Sequence, residues 1–367
     1  MLAEMNSALK ERHVADYLSR LTQRPIQIEQ IVELGGGSEG AAALKGFGYG
    51  RPLRITYLDD GQRKEVVLRR VNRNGFGREY ASDRTGEVWR DFHTFNHLPR
   101  HVRAEDMVMM DEDGRLQSIA QAQELLLLTN YAPGRPYAED LVRIGEEGSC
   151  NPLDVERAKS LAAYLADIHA VKHDDPLLWR RRLRDLVGNG EGIMGLTDSY
   201  PADESVIAAA DLQAIEEAAN RRRWQLKPLA HRLSQVHGDF HPFNILFVEE
   251  ADFILLDRSR GMWGEPADDV SCLVINYLFF SLQQDGRLTG PFEELYTTFW
   301  ETYLNHNADE EMLSVIAPWF AWRALVLASP QWYPTLTDDT RHKLFNFARG
   351  VMADTRFNWQ EINLYLS

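Results

Sequence analysis

The chain opens on an amphipathic pattern. Over residues 8–22 apolar positions recur every three or four residues among charges, which predicts a helix. From Ile26 to Leu34 the alternation shortens to two and predicts a strand. A glycine-dense stretch follows: Gly35, Gly36, Gly37, Gly40, Gly46, Gly48 and Gly50. Two strands come next, Leu53–Leu58 and Glu65–Val71, joined through Asp59-Asp60-Gly61, a sequence suited to a tight hairpin turn. A helix is predicted from Arg84 to Leu98, where Pro99 stops it. Strand-like runs recur at Asp106–Met110, closed by a turn at Asp113-Gly114, and at Leu125–Tyr131.

Beyond Pro133-Gly134 the pattern becomes mainly helical. In Leu153–His169 the residues Ala158, Leu161, Ala162, Leu165 and Ile168 share one face. Two short β runs, Ile245–Val248 and Phe253–Leu256, flank a polar turn, and from Asp268 onward the chain reads as helix. At 367 residues the chain is long for one core, so two lobes are expected. The change of pattern divides them into residues 1–132 and 133–367. The predicted class is α+β, with a small β-rich N-lobe and a larger, mainly helical C-lobe.

Charge narrows the partners. The net charge of −15 argues against nucleic acid. Residues 1–132 hold 18 Lys and Arg against 19 Asp and Glu, whereas residues 133–367 hold 22 against 36. The acidic second part either keeps the protein soluble or attracts a cationic substrate. The longest apolar run, Val270 to Leu282, contains Ser271, Asn276 and Ser281 and is too short to span a bilayer. The charged N-terminus lacks the order of a signal peptide, so a cytoplasmic protein with no membrane partner is expected. Cys150 and Cys272 are expected as free thiols, and no Cys/His cluster has zinc-ligand spacing.

One constellation carries chemistry. It reads His237-Gly238-Asp239-Phe240-His241-Pro242-Phe243-Asn244, followed by Ile254-Leu255-Leu256-Asp257. Phosphoryl transfer needs a carboxylate to orient the acceptor hydroxyl and take its proton. It also needs an amide and a second carboxylate to hold magnesium on the phosphates. Asp239 and Asn244 are five apart, so one irregular loop can aim both inward. Asp257 follows an apolar strand that holds it opposite. His237 lies too close to Asp239 to act independently, and is expected to brace the catalytic loop by hydrogen bonds.

The order His-Gly-Asp-x-x-x-x-Asn, then strand-Asp, then Gly264-Glu265-Pro266-Ala267-Asp268-Asp269 resembles the aminoglycoside phosphotransferase and choline kinase-like superfamily, over roughly Ile31 to Leu282. The resemblance implies a protein-kinase-like two-lobed fold and an ATP- and Mg2+-dependent kinase. Its substrate would be a small molecule bearing a hydroxyl group, aminoglycoside-, choline- or sugar-like. Asp239 and His237 are then the catalytic-loop residues, Asn244 and Asp257 the metal ligands, and Asp269 a structural brace. The N-terminal lobe becomes the ATP-holding one, with Arg69 in the place of the usual lysine on the third strand. Arg69 pairs with an acid on the following helix, where Glu87 and Asp91 both qualify and Glu87 has the longer side chain. Of the two glycine clusters, Gly46, Gly48 and Gly50 stand at the better separation from Arg69 to cover the phosphates, since amides approach phosphate only where side chains are absent. The backbone around Asn130–Ala132 is placed against adenine. Arg258 and Arg260 replace the aromatic residue usual after the metal Asp; they either contact phosphate or an anionic substrate or, as is expected, pair with surface acids. Trp319, Phe320, Trp322, Trp332 and Tyr333 either line an acceptor pocket or pack in the core. The alternative from another class is a catalytically silent, kinase-like protein that binds nucleotide or a partner. Retention of Asp239, Asn244 and Asp257 speaks against it.

Overall fold

A computed structural model describes residues 10–34, 52–97, 102–124, 127, 129–201, 206–258 and 260–367. It resolves into two compact units, residues 1–129 and 130–367. The first is β-rich and the second mainly helical, the α+β, protein-kinase-like organisation that the sequence predicts.

The first unit is a helix laid on a three-stranded sheet. Helix α1 (Glu11–Thr22) buries Val14, Tyr17 and Leu18, the i, i+3, i+4 face that its pattern predicts. Strands β1 (Ile26–Glu33), β2 (Leu53–Asp59) and β3 (Gln62–Leu68) pair antiparallel in that order. The α1 face packs on Ile28, Ile55, Tyr57 and Leu116. Asp60 and Gly61 make the β2–β3 turn, both with positive φ (52° and 76°), the conformation that a two-residue hairpin demands. Helix α2 (Ala81–Thr94) starts three residues earlier than expected, at a capping arrangement in which Tyr80 N donates to Asp83 Oδ2 at 2.8 Å. A short hairpin of β4 (Val108–Met110) and β5 (Leu116–Ser118) is tied to α1 by the Tyr17 hydroxyl, which donates to Asp106 at 2.6 Å. Of the run expected as a strand at Leu125–Tyr131, residues 127 and 129–131 are described, and none of them is in a strand.

The second unit opens with β6 (Arg135–Pro136), α3 (Tyr137–Glu147) and α4 (Pro152–His169). Asn151 caps α4 by accepting from Leu153 N and Asp154 N, with Pro152 at the first helical position. Three helices follow: α5 (Pro176–Gly188), α6 (Ile193–Ser199) and α7 (Ala209–Leu226). Four short strands come next: β7 (Ser234–Gln235), β8 (Ile245–Glu249), β9 (Asp252–Leu255) and β10 (Trp263–Gly264). The chain finishes in α8 (Pro266–Asp285), α9 (Gly290–Asn307), α10 (Met312–Val315), α11 (Ala317–Ala328) and α12 (Asp338–Ala353). Helix α8 is the centre of this unit. Sixteen of its twenty residues are buried, Asp268 and Asp269 among them, so it is covered on all sides rather than along one stripe. Trp319, Phe320 and Trp322 of α11 are also buried, while Trp332 is exposed and Tyr333 packs edge-on against Phe279.

Cys150 and Cys272 are both free. Among the described residues no helix is long and apolar enough to cross a membrane.

Candidate active site

The four short strands explain how two loops come to lie side by side. β8 pairs with β9 and β7 pairs with β10, both antiparallel. The segment from β7 to β8 (residues 236–244) and the segment from β9 to β10 (residues 256–262) are therefore held at both ends by the same two ladders. Cross-loop bonds keep them in register. Leu256 N donates to Asn244 O at 2.9 Å, and Val236 N donates to Met262 O at 3.0 Å. Arg258 donates to Val236 O from Nε at 3.0 Å and Nη2 at 2.6 Å. Arg260 Nη1 donates to Gly238 O at 2.8 Å. Gly238 has φ +91°, and a Cβ there would come within 3.2 Å of the Arg260 Cβ, so only glycine fits.

Asp239 is placed by its own loop and by two arginines. Its Oδ1 accepts from Arg260 Nη1 at 2.6 Å and from Arg323 Nη1 at 3.1 Å. Its Oδ2 lies 3.4 Å from Asn244 Nδ2 and 3.5 Å from His241 Nε2. Asn244 Nδ2 also donates to the Asp239 main-chain oxygen at 3.0 Å, so the five-residue loop closes on itself. Burial works to raise the Asp239 carboxyl. The Arg323 and Arg260 guanidiniums outweigh it and hold the group below the usual carboxylate range. Burial pushes the His241 imidazole down, against the pull of Asp239.

His237 is buried, and its Nδ1 accepts from Asp239 N at 3.3 Å, which is the bracing contact predicted from its position. Asp269 lies in the first turn of α8 and is fully buried. Its two oxygens accept from His237 N and Gly238 N, each at 2.7 Å. His169 Nε2, at 3.2 Å, completes its shell, and His169 Nδ1 in turn meets the Tyr303 hydroxyl at 2.8 Å. Burial works to raise the Asp269 carboxyl, but the His169 contact and the two amides hold it below the usual range. The catalytic loop is thus anchored through its backbone to the helical core.

Asp257 stands at the end of the β9 segment with φ +48°, a left-handed conformation that Asp tolerates better than most residues. Its side chain is exposed and makes no hydrogen bond or ion pair among the described residues. Asn244 Oδ1 is likewise uncommitted there. Two hard oxygen donors on adjacent loops fit a magnesium ion that takes its remaining ligands from phosphate and water.

In the first unit, β3 ends at Leu68, so Arg69 and Arg70 stand just past the strand and not on it. Alternation along the strand therefore does not set their directions. Two acids set that of Arg69. Its Nη2 meets Glu87 Oε1 and its Nη1 meets Asp91 Oδ2, both at 3.1 Å. The two candidate acids do not exclude each other, because a guanidinium fork spans neighbours one helical turn apart. Glu87 is the more buried, and its second oxygen takes Arg78 Nε at 2.5 Å. Beside it, Phe76, Gly77, Arg78, Ser82, Asp83 and Arg90 help line an open cleft of about 500 Å3. Asn130 and Ala132 lie in irregular chain before β6. Gly46, Gly48 and Gly50 lie outside the described residues.

One expectation is corrected. Arg258 serves main-chain carbonyls, and Arg260 makes its short contact with Asp239, while the surface acid Glu191 is 3.6 Å from it. Arg260 thus reaches the half-buried Asp239 more closely than the exposed Glu191. Arg323 was missed altogether. It lies 84 residues after Asp239, with no motif around it. The available signal was a single charge in an otherwise apolar helix, which must find a buried partner.

Solved structures similar to the chain include an amicoumacin kinase in complex with AMP-PNP and Ca2+ (16% identity, 99% of this chain and 100% of that one, TM-score 0.39). An ethanolamine kinase from Plasmodium vivax is another (13%, 97% and 87%, 0.33), as is a choline kinase from Cryptosporidium parvum (12%, 92% and 86%, 0.31). No curated protein sequence matches. The sequence model described as the phosphotransferase enzyme family matches residues 54–308. That span is more than half of the chain and contains Arg69, both loops and Asp269, so this protein belongs to the phosphotransferase enzyme family and is a kinase.

Proposed function

We propose that the protein transfers the γ-phosphoryl group of ATP to a hydroxyl of an aminoglycoside-, choline- or sugar-like compound. Asp239 orients that hydroxyl through Oδ2 and accepts its proton as the oxygen attacks the γ-phosphorus. The bond from the γ-phosphorus to the β-phosphate oxygen breaks, and ADP leaves with that electron pair. Asn244 and Asp257 would hold Mg2+, which when bound offsets charge on the phosphate oxygens. His237 steadies the loop. Arg69, braced by Glu87 and Asp91, would bind phosphate, the amides of Gly46, Gly48 and Gly50 would cover it, and the backbone at Asn130–Ala132 would meet adenine.

The observation that carries this reading is the pinning of the two loops. It sets the loop of Asp239 and Asn244 beside the segment that carries Asp257, whose carboxylate has no partner among the described residues. A carboxylate held below its usual range is a weak base. It suits a loose phosphoryl transfer, in which the hydroxyl needs orientation more than early deprotonation. A cytoplasmic setting, rich in ATP and reducing toward Cys150 and Cys272, fits as well. The test is ADP production from Mg-ATP by purified protein across a library of hydroxyl compounds. One acceptor class that raises ADP production well above the rate with water supports the proposal. No acceptor-dependent ADP, together with measurable nucleotide binding, would favour the silent kinase-like alternative.

A further inference from the structure

The family match ends at residue 308, yet the catalytic loop takes a charged partner from beyond it. Helix α11 is APWFAWRALVLA, and Arg323 is its only charged residue. Arg323 is 7% exposed and its fork is divided between two acids. Nη1 is 3.1 Å from Asp239 Oδ1, and Nη2 is 2.7 Å from Asp268 Oδ1. The other Asp268 oxygen meets Arg182 Nη2 at 3.3 Å, and Arg182 Nη1 donates to the Arg260 main-chain oxygen at 2.8 Å. The ring of Trp322 lies under both guanidiniums on Asp239, 4.0 Å from the Arg323 Cζ and 4.8 Å from the Arg260 Cζ.

Stability alone does not account for this arrangement. Asp268 already faces Arg182. Buried ion pairs gain little over apolar packing, and Arg323 Nε is buried with no hydrogen-bond partner among the described residues, which adds a cost. The division of the fork does account for one thing. A carboxylate held at one oxygen by one arginine can still swing. Held at the same oxygen by two, from a loop and from a helix, it has its plane fixed, and with it the direction of Oδ2, whose own contacts to Asn244 and His241 are the longer ones, 3.4 and 3.5 Å.

We propose that Arg323 is a positioning residue for Asp239: with Arg260 it pins Oδ1 and so presents Oδ2 to the acceptor hydroxyl. The inference rests on the role given to Asp239 above. It assigns a part in the reaction to the helical region outside the span the family shares.

The experiment uses the full chain, Mg-ATP and the acceptor found in the screen, and measures kcat and the KM for ATP. Arg323→Met is expected to lower kcat about tenfold to a hundredfold, the scale of a small misplacement of a reacting group. The KM for ATP stays within about twofold, and Arg323→Lys recovers part of the loss because one contact survives. The decisive variant joins Arg323→Met to Asp239→Asn. With no carboxylate charge left to hold, the double variant turns over at the rate of Asp239→Asn alone. If the two losses multiply, or if Arg323→Met raises the KM for ATP as much as it lowers kcat, Arg323 is a structural residue only and the proposal is overturned. Should Arg323→Met fail to fold, the same cycle is run with Arg323→Lys. A wild-type protein that turns over no acceptor counts against the proposed function. In that event, denaturant unfolding of the same cycle decides the pairing, since additive losses there overturn the hold of Arg323 on Asp239.

Discussion

Removing the charge of Asp269 should loosen the catalytic loop before it unfolds the protein. Asp269 is fully buried and accepts two main-chain N–H groups at 2.7 Å, with His169 as its third partner. Hydrogen bonds to an ionised group contribute about 1.5–3 kcal/mol each, so the two amides together account for roughly 3–6 kcal/mol. In Asp269→Asn one amide keeps an oxygen acceptor, while the other faces an NH2 group and is left without one. The expected loss is therefore about half of that total, roughly 1.5–3 kcal/mol in chemical denaturation. Loss of turnover should exceed what the folded fraction explains, because the amide that loses its acceptor is that of His237 or Gly238, directly before Asp239. The sign with pH follows from the same contacts. The folded carboxyl is held below its unfolded value, so its contribution is present above the unfolded pKa and is lost as pH falls through the folded one. A variant within about 0.5 kcal/mol of wild type, with unchanged turnover, would show that the loop does not hang on Asp269, and the account of the site would fail at its anchor.

Two further perturbations separate the halves of the site. Arg69→Ala should weaken ATP use more than Arg70→Ala, because Arg69 is held by Glu87 and Asp91 whereas Arg70 has no ion pair among the described residues. Equal KM values for ATP in the two variants would contradict this. Asp257→Asn should abolish magnesium-dependent turnover while leaving thermal unfolding near wild type, since the side chain is exposed and makes no bond that folding needs. Turnover near the wild-type rate would remove Asp257 from the metal site.

The parts of the site that the sequence revealed are those built from short-range spacing. Asp239 and Asn244 share one loop, and the β8–β9 hairpin that brings Asp257 beside them is closed within a dozen residues, so order along the chain determines neighbourhood in space. Asp269 was legible only through the family resemblance, and the helix that carries it starts at Pro266, two residues before the pattern placed it. Strand ends were less legible. β3 stops at Leu68, and the direction of Arg69 comes from a tertiary contact with α2 instead of from the pleat. Arg323 and His169 were out of reach because their partners lie 84 and 100 residues away. Periodicity marks the apolar face of α4 but does not say which buried polar residue meets which. The pairing of Arg260 with Asp239 was misjudged on composition: abundant surface acid suggests solvated partners, whereas the register of the two loops delivers Arg260 to the catalytic carboxylate.

The central claim is that Asp239 orients the acceptor hydroxyl and takes its proton, and one purified variant tests it most directly. Asp239→Asn keeps the side chain's size and removes the charge that Arg260 and Arg323 hold. ATP binding by calorimetry and turnover with the identified acceptor are measured on the same preparation. The account predicts turnover lower by about two orders of magnitude or more, with ATP affinity little changed. Turnover near the wild-type rate would contradict it.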